Sequence, residues 1–263
     1  MNELSSEPAP LRGYLRSDGR KGIRNVIAVA YLVECAHHVA REIVTRFGPR
    51  YDESDADAVA GDFDVANAHE EQPDVHLIGF PGCYPNAYAE KMLARIATHP
   101  NVGAVLFVSL GCESMNKHYL ADLVRESGRP VEVLTIQETG GTRSTVMRGV
   151  DWVKRTRQAL RAQGTVPMQL SELVVGTVCG GSDGTSGMTA NPAVGRAFDA
   201  LIERGATCVF EETGELVGCE YHMKSRAARP ELGDAIVECV AKAARYYTIM
   251  GHGSFAVGNA DGG

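Results

Sequence analysis

The chain has 263 residues, of which 44% are hydrophobic, and its formal net charge is −7. That length allows one large α/β domain or two smaller lobes, each with a packed core. The negative charge argues against nucleic acid or an anionic membrane surface as the main partner, and no apolar stretch is long enough to span a bilayer.

Runs of β-branched residues alternate with longer helical patterns, which is typical of βαβ units and a parallel sheet. The predicted strands cover residues 24–33, 75–80, 103–110, 131–136, 172–179 and 206–211. The predicted helices cover residues 35–47, 86–98, 115–127, 143–163, 192–204 and 230–246. The acidic stretch from Asp52 to Glu71 interrupts this alternation and is predicted to be a long excursion. The sequence therefore predicts an α/β fold of two Rossmann-like lobes with mainly parallel sheets, covering residues 1–165 and 166–263.

The segment before the first predicted strand, Gly13 to Asn25, contains four cationic residues and three glycines. Glycine lets the backbone approach a ligand closely, and the arginine guanidinium matches a carboxylate. We predict that at least one of Arg16, Arg20 and Arg24 holds a substrate carboxylate. A solvated basic loop is the alternative that the sequence leaves open.

Four of the seven cysteines stand one to three residues after the end of an apolar run: Cys35, Cys83, Cys112 and Cys179. In a parallel sheet these are the carboxyl ends of strands, where α/β proteins assemble their ligand sites. The N-terminus lacks a secretory signal pattern, so we predict a cytoplasmic protein whose cysteines are thiols or metal ligands. Cys208 and Cys239 lie inside apolar patterns and are predicted to be core residues.

Cysteine and glutamate stand side by side in Gly111-Cys112-Glu113. Thiolate and carboxylate groups together suit a borderline divalent metal such as iron. Single histidines such as His37, His38 and His118 are interpreted as solvated or capping groups.

The segment from Cys179 to Gly195 is rich in glycine, serine and threonine and leads into a predicted helix. Such a segment presents many backbone N–H groups and short hydroxyls, which suit anions or polyhydroxylated ligands. It has neither the lysine of a Walker loop nor the spacing of a dinucleotide fingerprint. A structural turn is the alternative here.

Together these motifs resemble those of the altronate dehydratase/galactarate dehydratase family, which also includes the large subunits of sulfolactate sulfo-lyases. The matching strings are Gly13-Tyr14…Asp18-Gly19-Arg20…Gly22…Arg24-Asn25, Gly82-Cys83, Gly111-Cys112-Glu113, Gln137…Gly140-Gly141-Thr142, Cys179 to Gly195, and Gly258-Asn259 with Gly262-Gly263.

The resemblance implies a lyase that removes water from a sugar acid such as altronate or galactarate, with iron(II) or another divalent metal as cofactor. We accordingly predict catalytic roles for Cys83, Cys112 and Glu113, and metal ligation by these three residues together with Cys179. The predicted substrate-binding residues are Arg16, Asp18, Arg20, Arg24, Asn25, Ser182, Asp183, Ser186 and Asn191. A sugar acid is the expected small-molecule partner, and the protein is expected to form a homo-oligomer.

Two departures from the family pattern matter for function. Family members commonly carry a histidine at the position that Gly79 occupies in Gly79-Phe80-Pro81-Gly82-Cys83. The resemblance also implies a small β-rich domain before this region and a further segment after it. We therefore expect the C-terminal lobe to be truncated and a separate small domain or subunit to complete the protein. The alternative function is that of a noncatalytic sugar-acid-binding subunit or sensor.

Overall fold

A computed structural model describes residues 11–47, 74–178, 180 and 184–251. The chain forms two compact units, the first ending at Met168 and the second beginning at Gln169. The acidic stretch of residues 52–71 and the glycine-rich segment after Gly251 lie outside the described residues.

The first unit alternates strands and helices along the chain. Its strands are β1 (Arg12–Leu15), β2 (Lys21–Gly22), β3 (Val26–Tyr31), β4 (Val75–Gly79), β5 (Val102–Ser109), β6 (Val131–Thr135) and β7 (Val166–Pro167). Its helices are α1 (Glu34–Thr45), α2 (Ala87–Ala97), α3 (Lys117–Glu126), α4 (Ile136–Thr139) and α5 (Thr142–Arg161). Asn86 and Asn116 cap α2 and α3, because each side chain accepts a hydrogen bond from the backbone N–H three residues later.

The main sheet of this unit is parallel, with the strand order β4-β3-β5-β6. All eight residues of β5 are buried, as expected for a strand whose two faces are both covered by helices. Successive side chains point to opposite faces. Leu106 accordingly packs with residues of α1 and α5, whereas Phe107 packs with residues of α2 and α3. The sheet is therefore the middle layer of a three-layer α/β unit.

A small antiparallel sheet of order β2-β1-β7 is formed by the chain segments before and after these layers. Gly22 of β2 lies against the turn between α2 and β5, where a side chain would overlap the carbonyl group of Pro100. Sequence periodicity did not predict this sheet, because its strands are short and contain glycine and charged residues. Its position depends on contacts with a distant turn.

The second unit contains β8 (Val174–Thr177), α6 (Ala190–Ile202), β9 (Thr207–Phe210), α7 (Glu220–Ser225) and α8 (Pro230–Ile249). β8 and β9 form a parallel pair. Cys208 in β9 is half-buried, but Cys239 in α8 is exposed, so the prediction of Cys239 as a core residue was wrong. The apolar pattern around Cys239 belongs to an amphipathic helix, and the cysteine lies on its outer side.

The predicted α/β architecture with mainly parallel sheets is confirmed by the four-stranded sheet and the β8–β9 pair. In the described ranges, no helix is both long enough and apolar enough to cross a membrane.

Candidate functional site

The carboxyl edge of the main sheet contains a topological switch point. From β3 the chain passes to β4 on one side, and it then returns across β3 to form β5 on the other side. The connections that follow β3 and β5 therefore leave in opposite directions, and open α/β sheets bind ligands outside the strand ends at such a point. Cys83 follows β4 at this edge, and Cys112 and Glu113 follow β5.

A backbone hydrogen bond joins the two cysteine-containing loops. The N–H of Ser114 donates to the carbonyl oxygen of Cys83 across 2.9 Å. Both Cys83 and Cys112 are exposed, as is Cys35 in the first turn of α1. The structure thus brings Cys83, Cys112 and Glu113 to one edge of the sheet, with both thiols accessible from solvent.

Glu113 has a carboxylate that is satisfied on one oxygen only. Its Oε2 accepts a hydrogen bond of 2.8 Å from the N–H of Gly111. Its Oε1 is buried and has no hydrogen-bond partner of acceptable geometry among the described residues. Burial raises the pKa of Glu113, but the nearby Ser109 hydroxyl, the Gly111 and Glu113 N–H groups and the Lys117 charge outweigh burial, so the pKa is below its usual value. Glu113 is therefore ionised at neutral pH, and one of its two oxygens is buried.

Lys117 is a residue of this site that the sequence analysis missed. Its Nζ donates to the Ser109 hydroxyl across 3.3 Å and to the Thr135 hydroxyl across 3.0 Å. These bonds hold an ammonium group at the ends of β5 and β6, close enough to Glu113 to favour its ionised form. The available signal was the spacing, because Lys117 follows Glu113 by four residues and directly follows a good helix cap.

Gly111 and Gln137 explain part of the sequence pattern at this edge. Gly111 has a φ of 129°, which disfavours other residues, and a side chain there would overlap the amide group of Gln137. The N–H of Gln137 in turn donates to the carbonyl oxygen of Leu110 across 3.2 Å. The glycine is thus required by the close approach of two loops.

Gly79 stands where the resemblance implies a histidine, and the structure shows why glycine fits here. Gly79 lies directly beside Tyr31 in the register of β3 and β4. A Cβ atom at position 79 would overlap the ring of Tyr31. The tyrosine therefore occupies the volume that a side chain at position 79 would need.

The arginines predicted to hold substrate lie at the opposite, amino edge of the sheet. Arg16 is buried, and its guanidinium donates to the carbonyl oxygens of Pro100 and Arg24 and to Oδ1 of Asn25. Burial and the charge of Arg129 lower the pKa of Arg16 to about 10. At about 3.3 Å per residue, β5 alone separates the two edges by roughly 25 Å.

Asp18 and Arg20 form an ion pair with each other across 2.7 Å, and hydrogen bonding to Arg20 lowers the pKa of Asp18. Arg20 also donates to the carbonyl oxygen of Thr98, which caps the end of α2. Arg24 lies with Nη2 3.1 Å from Nε2 of His76. These contacts fasten the β1–β2 hairpin to the turn before β5, and they do not bring the arginines to the cysteines.

The remaining predicted residues belong to the second unit. Ser186 is half-buried and Asn191 is exposed near the start of α6. Cys179, Ser182 and Asp183 lie outside the described residues, so their predicted roles stay predictions.

The structure leads to a specific expectation for Arg16. Arg16→Lys should lower the free energy of unfolding by about 1–3 kcal/mol, because an ammonium group cannot reproduce the three hydrogen bonds that the guanidinium donates. Urea unfolding measures this change. Arg155→Lys is a matched control, since Arg155 is exposed and forms an ion pair with nearby Asp151 across 3.0 Å. An unchanged midpoint combined with weaker sugar-acid binding would instead support the predicted contact of Arg16 with substrate.

The donors at the carboxyl edge match the chemistry of a divalent metal. Within the described part of the chain, no three His, Cys, Asp or Glu side chains are already grouped to hold an ion. A carboxylate oxygen and two exposed thiols are nevertheless the hard and soft donors that iron(II) accepts. Glu113, Cys83 and Cys112 therefore have suitable donor chemistry, although the described structure does not group their side chains around an ion.

Comparison with known proteins identifies relatives along nearly all of the chain. The family model for the second domain of D-galactarate dehydratase/altronate hydrolase matches residues 13–161, and the D-galactarate/altronate dehydratase C-terminal model matches residues 170–263. Altronate dehydratase of Bacillus subtilis is 28% identical over 94% of this chain and 47% of its own length. Galactarate dehydratase (L-threo-forming) of Escherichia coli is 32% identical over 88% of this chain and 46% of its own length.

A third relative is the (2R)-sulfolactate sulfo-lyase subunit beta of Chromohalobacter salexigens, which is 32% identical over 84% of this chain and 51% of its own length. The chain thus spans about half the length of the curated relatives that it matches.

Proposed function

The chain belongs to the D-galactarate dehydratase/altronate hydrolase family, and from this premise we propose that it acts in a metal-assisted dehydration of a sugar acid. The expected substrates are altronate, galactarate or a close analogue, and the expected product is a 2-keto-3-deoxy acid. The observation that carries this proposal is the carboxylate of Glu113 at the same sheet edge as two exposed thiols, with one buried oxygen that makes no hydrogen bond of acceptable geometry to the described residues.

The proposed metal site consists of Glu113, Cys83 and Cys112, with Cys179 as a further ligand. An iron(II)-type ion bound there would stabilise the negative charge that develops when the proton next to the substrate carboxylate leaves. Glu113 contributes a full negative charge for this role, because neighbouring hydrogen-bond donors lower its pKa. The thiol groups bind metal as thiolates, so metal affinity falls as the pH decreases.

Lys117 has a supporting role in this proposal. Its ammonium group, held by Ser109 and Thr135, keeps Glu113 ionised and adds positive charge at the edge where an anionic substrate would bind. A sugar-acid carboxylate at the switch point would therefore meet a cation as well as hydrogen-bond donors.

A noncatalytic sugar-acid-binding subunit is the second candidate function. The observation that favours it is Gly79, because Tyr31 fills the space that a side chain at this position would need. The subunit beta of the sulfolactate sulfo-lyase relative is, by its name, one part of a larger assembly. We also propose a homo-oligomeric protein of the cytoplasm that acts with a separate small domain or subunit.

Metal analysis and an activity assay on anaerobically prepared protein separate the two functions. We expect about one iron(II) per chain and formation of a keto acid from at least one member of a panel of altronate, galactarate and sulfolactate. Saturable sugar-acid binding without keto-acid formation would favour the noncatalytic subunit. A protein that binds neither metal nor any of these sugar acids would contradict both proposals.

A further inference from the structure

The first turn of α1 presents a histidine at the same sheet edge as the proposed metal ligands. α1 begins directly after β3, the strand that lies between β4 and β5. The Cys83 loop follows one of these neighbours and the Glu113 loop follows the other. Residues in the first turn of α1 therefore lie at the switch point. On sequence alone His37 is interpreted as a solvated or capping group, but in the structure its ring makes two defined contacts.

Two contacts restrain the imidazole ring of His37. Its Nδ1 lies 2.9 Å from Oε1 of Glu34. Its ring also stacks on the ring of Tyr31, with centroids 4.6 Å apart and planes 26° apart. In the neutral imidazole, donation from Nδ1–H to the Glu34 carboxylate leaves the lone pair on Nε2. This contact favours one tautomer of the neutral ring, while a third of the side chain stays exposed.

One backbone hydrogen bond connects this histidine turn to the Cys83 loop, and a second connects the Cys83 loop to the Cys112 loop. The N–H of Glu34 donates to the carbonyl oxygen of Pro81 across 3.1 Å. The same loop accepts the Ser114 N–H at Cys83 across 2.9 Å. Tyr31 is in turn fixed against Gly79, where only glycine leaves room for its ring. The turn that contains His37 is thus bonded to the Cys83 loop, and the His37 ring is stacked on a tyrosine that lies against Gly79.

We propose that His37 is the general base of the dehydration, with Glu34 and Tyr31 as the residues that position it. This inference rests on the proposed function. The neutral Nε2 takes the proton from the carbon next to the substrate carboxylate. The electrons of that C–H bond form the new C=C bond as the β C–O bond breaks. The imidazolium then gives its proton to the departing hydroxide, directly or through solvent, so that the net loss is one water and the enol product becomes the 2-keto acid.

Glutamine replacements of two adjacent histidines test the proposal. His37→Gln should lower kcat by roughly 100-fold to 10,000-fold, the contribution typical of a general base, and leave KM within about twofold. His38→Gln is the matched control, because His38 is exposed on the same helix and neighbouring helical residues do not share a face. Its kcat should stay within about twofold of the wild-type value. An active His37→Gln enzyme with wild-type kcat would overturn the proposal while leaving the proposed function intact.

Chemical rescue distinguishes a base from a residue that only supports the fold. Free imidazole should raise the activity of the His37→Ala variant by at least about tenfold, since the truncated side chain leaves an accessible space. No rescue, in a variant with a wild-type melting temperature, would count against the base role.

A binding measurement decides the placement of His37 even if the wild-type chain converts no member of the panel. Galactarate is added to protein carrying ¹⁵N-labelled histidine, and the ring nitrogens are followed by NMR. A saturable shift at His37 without one at His38 supports the inferred position in the ligand site. No shift at His37 overturns it, whereas failure of the activity assay alone contradicts only the proposed function.

Discussion

Glu113→Gln is expected to lower metal affinity and kcat/KM by at least about 100-fold, while the melting temperature changes little. The glutamine has nearly the same shape and can still accept the Gly111 N–H, but it lacks the charge that the proposed metal ligand needs. Loss of a supporting group around a metal already costs about 10-fold to 100-fold, so loss of the proposed charged ligand should cost more. Metal analysis and the keto-acid assay on anaerobic protein measure the two effects.

Glu126→Gln serves as the control for this variant. It replaces a carboxylate by an amide in the same way, and Glu126 is exposed at the end of α3. It should retain the metal content and activity of the wild type. Equal metal content and activity in the Glu113→Gln variant would show that the carboxylate of Glu113 is a structural group of the β5–α3 loop. The same experiment with Cys112→Ser tests whether the exposed neighbouring thiol is a metal ligand.

Gly22→Ala is expected to destabilise the first unit by about 3 kcal/mol, at the upper end of overpacking effects. The added methyl group would overlap the backbone carbonyl of Pro100. That carbonyl is not free to move away, because it accepts a hydrogen bond of 2.7 Å from the buried guanidinium of Arg16. Urea unfolding of the variant should therefore show a clearly lower midpoint than that of the wild type.

Gly164→Ala is a suitable comparison for Gly22→Ala. A Cβ atom at position 164 meets no other group within 4 Å, and the backbone there is compatible with alanine. This substitution should leave the midpoint unchanged or raise it slightly, because alanine reduces the entropy of the unfolded chain. A Gly22→Ala variant as stable as the Gly164→Ala variant would mean that the β1–β2 hairpin is not held tightly against the turn before β5.

Glu113 lies at the carboxyl edge of the main sheet, whereas Gly22 belongs to the hairpin at its amino edge. The structure therefore changes the interpretation of the glycine- and arginine-rich segment from Gly13 to Asn25. Its composition is equally compatible with a carboxylate site and with a structural clasp. In the first unit, Arg16 and Arg20 donate to carbonyl groups around the end of α2. Carbonyl groups at a helix C-terminus carry partial negative charge, so they are favourable partners for guanidinium groups.

Local sequence determined the architecture and the edge at which the cysteines lie. Each apolar run of strand length that is followed by a helical pattern predicts a strand end, because burial on both faces requires uninterrupted apolar residues. β3, β4, β5 and β6 all match predicted strands in this way. Cys83 and Cys112 therefore could be assigned to carboxyl strand ends from their neighbours alone.

Only the tertiary structure decided which polar groups meet. Strand order is not encoded in any single strand, and it is the order β4-β3-β5-β6 that brings the first turn of α1 between the loops of Cys83 and Glu113. The Glu34–His37 pair, its stacking on Tyr31 and the bonds of Lys117 to Ser109 and Thr135 all depend on it. The physical reason is that burial selects residues by hydrophobicity, which a sequence displays directly, whereas a charged side chain takes its role from the partners that the folded chain places around it.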